Sequence, residues 1–133
     1  MSFGEIISFE PLGDERGSLV AIESNKNVPF DIKRVYYIFG TAEGVSRGFH
    51  AHRDLQQVAV CVTGSCRFVL HDGKQRKEIV LDKSTRGLLI EALTWREMHD
   101  FSSDCVLVVL ASEHYDKCDY ILDFDEFLKE VNL

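Results

Sequence analysis

The chain has 133 residues, 45% of them hydrophobic and 11% aromatic, enough for one domain spanning 1–133 with a substantial core. Its formal charge is −7, from 22 acidic against 15 basic residues. That balance excludes general nucleic-acid binding driven by clustered Lys and Arg, but not a small anion held by two or three local cations. No apolar run has the length to span a bilayer and no signal sequence is visible, so a cytoplasmic protein without a membrane partner is expected.

Short strand-like runs follow one another with turn signals between them. Ser18–Glu23 is the first, then Arg34–Phe39, then Gly48–His52. Gln57–Thr63 reads as a buried strand broken by Gly64-Ser65, and Cys66–His71 resumes after it. Asp72-Gly73 is a hairpin signal, with Gln75–Leu81 as the return strand. Gly87–Ile90 and Arg96–Phe101 are weaker runs. Cys105–Ala111 is almost wholly apolar, as a central strand covered on both faces would be. In Asp123–Leu133, Phe124, Phe127, Leu128 and Val131 recur at i, i+3, i+4 and i+7, which predicts a C-terminal helix. About nine or ten short strands with Gly-rich turns indicate an all-β sandwich or barrel. Cys61, Cys66, Cys105 and Cys118 contain no CxxC pair, and three of them lie in apolar runs. They read as buried, reduced thiols, although a Cys61–Cys66 disulfide is compatible with the spacing.

Alternation along a strand projects His50 and His52 to one side and Phe49 and Ala51 to the other. Two imidazoles side by side suit a metal site or proton transfer, and the plainer reading is a pair of hydrogen-bonded strand residues. Gly44, His50-Ala51-His52, Gln57 and Gly64 are separated by five, four and six residues. This resembles the first motif of the cupin superfamily, a jelly-roll β-barrel. Metal-binding cupins carry Glu where Gln57 stands and add a further His from a second motif. Here Arg96 lies near that position, and His99 is offset from it. An amide and a guanidinium weaken a divalent site, so no metal or cofactor is expected. The remaining chemistry is metal-free acid/base work. Alternation also puts Arg34 and Tyr36 on one face, where the phenol can join the histidines if that face is interior, or simply pack. Gln57 can orient an imidazole or contact substrate. Arg47 is either a ligand contact or one half of a surface ion pair. Trp95 stacks on a planar group or fills core.

Longer runs carry a closer resemblance. Arg16-Gly17-Ser18-Leu19, Lys33-Arg34-Val35-Tyr36-Tyr37-Ile38, Arg47-Gly48-Phe49-His50-Ala51-His52, Gln57-Val58 and Met98-His99-Asp100-Phe101-Ser102-Ser103-Asp104-Cys105 are similar to the dTDP-sugar 3,4-ketoisomerases. These are metal-free cupins acting on dTDP-4-keto-6-deoxyglucose in the deoxyamino-sugar pathways of bacterial surface glycans. The resemblance implies His50 as catalytic base, His52 in the same pocket and Tyr36 assisting proton movement. It implies Arg47, and less directly Arg34, as contacts to the nucleotide phosphates. Arg16 and Arg96 fall where members differ with the configuration left at C4. Arg16 matches the galacto-forming type and Arg96 the gluco-forming type, and overall similarity favours the galacto product. The family forms homodimers that exchange N-terminal strands, so a homodimer is expected. The alternatives are a nucleotide-sugar 3,5-epimerase, a non-catalytic nucleotide-sugar-binding cupin and a metal-dependent cupin oxygenase.

Overall fold

A computed structural model describes residues 3–132. Its strands are β1 (Ile6–Ser8), β2 (Leu12–Asp14), β3 (Gly17–Leu19), β4 (Arg34–Phe39), β5 (Arg47–His52), β6 (Gln57–Thr63), β7 (Cys66–His71), β8 (Arg76–Leu81), β9 (Arg86–Ile90), β10 (Trp95–His99), β11 (Val106–Ala111) and β12 (Tyr120–Ile121). A single 3-10 turn (Lys117–Asp119) precedes β12, and helix α1 (Phe124–Val131) follows it. One sheet runs β1-β9-β6-β11-β4 and the other β12-β5-β10-β7-β8, all pairs antiparallel. The expected all-β jelly-roll barrel with a short C-terminal helix is therefore the architecture observed.

The two sheets close on a core of Ala59, Cys61, Cys66, Phe68, Leu70, Leu81, Leu88, Ile90, Met98, Cys105, Leu107 and Val109. β11 lies between β6 and β4. Its Leu107 and Val109 point into this core, while Leu110 faces a second cluster outside the sheet with Phe9, Val28, Phe30, Val58, Val60 and Leu89. Burial on both faces is why the segment reads as an unbroken apolar run. The other sheet is covered by α1, whose Phe127 is fully buried against Ala51, Trp95 and Ile121. Asp123 caps the helix, its carboxylate accepting from the Asp125 N–H at 3.4 Å. The helix ends at Val131, and Leu133, the last residue of the predicted helix, lies outside the described residues.

Two readings need correction. The strand predicted over Ser18–Glu23 shrinks to Gly17–Leu19, paired only with β2. Val20 and Ile22 do alternate inward against the second cluster. However, the Asn27 side chain takes up the Glu23 N–H and the Ala21 carbonyl, at 2.8 and 2.7 Å. The alternation thus reflects burial without a ladder. The hairpin signalled by Asp72-Gly73 joins β7 to β8, but its return strand begins at Arg76 rather than Gln75, so the connection has four residues. Asp72 Oδ1 accepts from the N–H groups of Lys74 and Gln75 at 2.9 and 2.8 Å, which closes the longer turn. β1, β2 and β12 are too short to show a period in the sequence.

Cys61, Cys66 and Cys105 are free and buried, with the Cys61 sulfur 3.6 Å from Cys66 and 3.8 Å from Cys105. The Cys66 contact and burial push the Cys61 thiol up, and burial pushes Cys105 to about 12. Cys61 and Cys105 stay protonated, and all three side chains pack as small apolar groups. Cys118 is exposed.

Candidate active site

β5 is held between β10 and β12, with His50 opposite Arg96 and His52 opposite Tyr120. Its register against β10 slips between Arg96 and Glu97, because Gly48 and Phe49 form a bulge with φ of 92° and 61°. A regular strand would send Arg47 to the side opposite His50. The bulge reverses that parity, and Arg47, Gly48 and His50 border one cavity. Gly48 also leaves little room for a side chain, since a Cβ there would lie 3.0 Å from the Arg96 carbonyl oxygen. β4 supplies Arg34, Tyr36 and Ile38 from its inner face and leaves Val35, Tyr37 and Phe39 exposed.

The rings of His50 and His52 meet edge to face with centroids 4.9 Å apart. The Tyr120 ring lies 4.9 Å from His50 and 4.3 Å from His52. His52 is 1% exposed, and its Nδ1 lies 3.1 Å from Asp119 Oδ2. Asp119 is fixed in turn by the N–H groups of Asp54 (2.9 Å) and Leu55 (3.3 Å). An ionised carboxylate only accepts, so Nδ1 carries the hydrogen and Nε2 the free lone pair. Contact with a carboxylate favours imidazolium, but burial and then Arg96, His50 and Arg34 oppose it, drawing His52 down to about 2. We take the desolvation to prevail, because the ring is almost fully buried beside a fixed cation. Burial and then Arg96 likewise lower His50 to about 4. Both imidazoles are neutral at pH 7.

The cation responsible is Arg96, 2% exposed. Its Nη1 donates to Gln57 Oε1 and its Nη2 to the Thr94 carbonyl at 3.0 Å, while Nε has no partner. Gln57 Nε2 lies 3.0 Å from the Tyr36 hydroxyl. Burial lowers Arg96 to about 10, which still leaves it charged at neutral pH. The Arg34 guanidinium carbon lies 5.3 Å from the Tyr36 ring centroid and 5.8 Å from that of Tyr115, and its buried Nε is also unpartnered. Among the described residues, none of Arg34, Arg47 and Arg96 is in an ion pair with a carboxylate.

Cupins commonly hold a divalent cation between the two histidines, the residue at position 57 and a second-motif ligand, but this donor set does not fit one. The amide oxygen of Gln57 is engaged by a guanidinium, and the interior already contains a fixed positive charge. His99 lies apart, hydrogen-bonded to Ser46 (2.7 Å) and Glu97 (2.9 Å). Trp95 fills core against Phe124 and Phe127, and its indole N–H donates to Glu97 at 3.0 Å.

Two cavities meet at this cluster. One, of about 350 Å³, is bordered by Arg34, Tyr36, Arg47, His50 and Tyr120 and has no acidic residue in its wall. The other, of about 270 Å³, shares Arg34 and Tyr120 but is walled by Asp54, Glu113, Asp116 and Asp119. A void of about 20 Å³ lies behind, among Tyr36, His50, Gln57 and Arg96. An anion is therefore favoured on the Arg34–Arg47 side. The fold thus brings together His50, His52, Tyr36, Arg34, Arg47, Gln57 and Arg96. It does not bring Arg16, which projects from the β2–β3 ribbon with its side chain 84% exposed and bound to Asp14 at 2.6 Å. Asp119 and Tyr120 escaped the sequence reading. The two-residue strand that pairs Tyr120 with β5, and the 3-10 turn before it that carries Asp119, have no periodic signal, and this acidic-aromatic segment reads as a surface loop.

Fold and site define a cupin-type enzyme barrel equipped to move protons. The family described as FdtA, WxcM-like, C-terminal, matches residues 3–132. A curated relative from Aneurinibacillus thermoaerophilus, a TDP-4-oxo-6-deoxy-alpha-D-glucose-3,4-oxoisomerase, is 57% identical over 127 residues, 96% of this chain and 91% of its own. The crystal structure of a 3,4-ketoisomerase from Helicobacter canadensis is 48% identical with a TM-score of 0.93, covering 96% of each chain. A mutant of the QdtA 3,4-ketoisomerase from Thermoanaerobacterium thermosaccharolyticum, solved with TDP-4-keto-6-deoxyglucose, is 42% identical with a TM-score of 0.95, covering 99% of this chain and 96% of that one. The chain belongs to this WxcM-like family of sugar 3,4-ketoisomerases, and it is an isomerase.

Proposed function

We propose that the protein converts dTDP-4-keto-6-deoxyglucose to the dTDP-3-keto-6-deoxyhexose by metal-free acid/base catalysis. The observation that carries this reading is a pair of neutral, touching imidazoles beside a buried, carboxylate-free arginine. The C4 ketone acidifies the hydrogen on C3. His50 takes that proton, and the electron pair moves through C4 to leave an enediolate with its charge on O4. The imidazolium returns a proton to C4, and the hydrogen of O3 passes to O4, which leaves the ketone at C3. The electrons stay within the substrate, so no redox cofactor enters the balance. His52 sits where it can relay a proton, and Tyr36 and Arg96 stand where negative charge develops. Arg34 and Arg47, which border the same cavity as His50, supply cations free of carboxylate partners for the diphosphate.

The reading extends to a homodimer. Val35, Tyr37 and Phe39 expose 56%, 63% and 67% of their surface on the outer face of β4, and Leu12 and Leu19 expose 55% and 59% on the β2–β3 ribbon. Exchange of N-terminal strands would cover the ribbon and carry Arg16 to the partner's site. Arg16 supports the galacto configuration at C4, which we take as the product. We place the reaction in deoxyamino-sugar biosynthesis in the cytoplasm. Among the described residues no helix is long and apolar enough to cross a membrane.

Incubation with dTDP-4-keto-6-deoxyglucose in deuterated water, followed by NMR, tests the reading. Deuterium at C4 of a 3-keto product is expected, with the coupling of that centre reporting its configuration. Exchange at C5 instead would indicate a 3,5-epimerase, and binding without exchange a non-catalytic cupin.

A further inference from the structure

We infer that Gln57 is a positioning residue: its amide, held in one orientation by Arg96, turns the hydroxyl hydrogen of Tyr36 toward the substrate. The inference deepens the ketoisomerase reading and rests on it. A guanidinium has donors and no acceptor. Arg96 is buried and spends Nη2 on the Thr94 carbonyl at 3.0 Å, and its Nη1 donates to Gln57. Only the oxygen of the amide can receive that bond. The NH₂ group must then face the other way, and there it meets the Tyr36 hydroxyl at 3.0 Å. The phenolic oxygen is the acceptor of that bond, so its own hydrogen points elsewhere.

The free direction is toward the site. Tyr36 borders both the cavity of about 350 Å³ and the small void it shares with His50, Gln57 and Arg96. A neutral donor is thereby aimed at the place where the enediolate oxygen gathers charge. The buried Arg96 polarises the amide and, through it, the phenol, so the bond strengthens as the charge develops. Tyr36 keeps its proton throughout, and the transfers from C3 and to C4 remain with His50.

The same chain of bonds explains why an amide stands where metal-binding relatives of the fold carry a carboxylate. Glutamate at position 57 would accept from both Arg96 and Tyr36. The hydroxyl hydrogen would turn away from the substrate and present a lone pair to a forming anion. Gln57→Glu thus reverses one hydrogen bond at nearly constant volume, and its carboxylate is paired with Arg96 rather than left unpaired.

Two measurements test this. In a neutron structure of the perdeuterated wild-type protein, the Tyr36 deuteron should point into the cavity and an amide deuteron of Gln57 should lie between the two side chains. A deuteron on Tyr36 directed at Gln57 overturns the inference, whatever the turnover. In kinetics with dTDP-4-keto-6-deoxyglucose, Gln57→Glu should lower kcat on the order of 10²-fold, the usual loss for an oxyanion donor, with KM held within about threefold. In a Tyr36→Phe background the same change should cost less than about threefold, because its target is gone. An unchanged kcat in Gln57→Glu, or an equal loss in both backgrounds, overturns it. A wild-type protein with the expected deuterons and no turnover would retain the polarity and sink the ketoisomerase reading instead.

Discussion

A histidine can take a proton from carbon only while it is uncharged, and the chain secures that state by burying His50 and, secondarily, by placing the cation of Arg96 beside it. Burial and Arg96 draw His50 to about 4. The acidic limb of kcat/KM is therefore expected near pH 4 and not near 6.5, and a pH–rate profile checks it. His50→Asn should lose on the order of 10²- to 10⁴-fold in kcat while still binding dTDP in calorimetry. Asp119 fixes the tautomer of a buried His52. Asp119→Asn can offer its NH₂ group to Nδ1 and invert that tautomer. Turnover should fall by about tenfold or more, with the alkaline side of the pH profile altered as well. A loss confined to KM would show that Asp119 serves binding alone. His50, His52, Gln57 and Arg96 could be singled out in the sequence by residue type and spacing. Asp119 could not, because it acts across 67 positions through one contact.

At the level of elements, the decisive device is the bulge in β5. Alternation alone correctly placed the two histidines together and Arg34 with Tyr36, since both statements need only a period of two. It would have sent Arg47 to the opposite face. The Gly48–Phe49 irregularity returns Arg47 to the histidine side, and a run of six residues gives no hint of it. Gly48→Ala puts a methyl group into a left-handed conformation and against the Arg96 carbonyl. A loss of about 1–3 kcal/mol is expected from chemical denaturation, together with weakened activity as His50 shifts. Equal stability and turnover would mean that β5 tolerates a regular register. Long strands such as Gln57–Thr63 and Cys66–His71 were legible to the residue, because burial fills them with β-branched and apolar side chains. Ser18–Glu23 misled for the complementary reason: it is buried like a strand but hydrogen-bonded like a loop.

For the molecule as a whole, the neutral histidines couple activity to stability. Above about pH 6.5 the imidazoles are neutral folded or unfolded, and they leave stability unchanged. As pH falls toward 4, the unfolded chain binds protons that the folded chain refuses, so stability drops. Thermal unfolding should occur at lower temperature at about pH 5 than at pH 7, with a shallower difference in His50→Asn. The exposed β4 face sets a second expectation at this scale. Sedimentation should find twice the subunit mass, and Tyr37→Glu with Phe39→Glu should shift it toward the monomer. A wild-type monomer would remove the proposed route for Arg16 into a neighbouring site.

Residue types and local periods were enough to read an all-β sandwich or barrel, its C-terminal helix and the histidine pair, because the strands, the helix and the pair each depend on neighbours a few positions apart; the jelly-roll barrel itself came from the resemblance. The tertiary structure alone decided that Arg96 is a buried cation, that Asp119 and Tyr120 close over the imidazoles, and that Arg47 borders the cavity of His50 while Arg16 stays apart from it. Those outcomes arise from contacts between distant segments and from desolvation. Both are properties of the enclosed interior, which no short window of sequence contains.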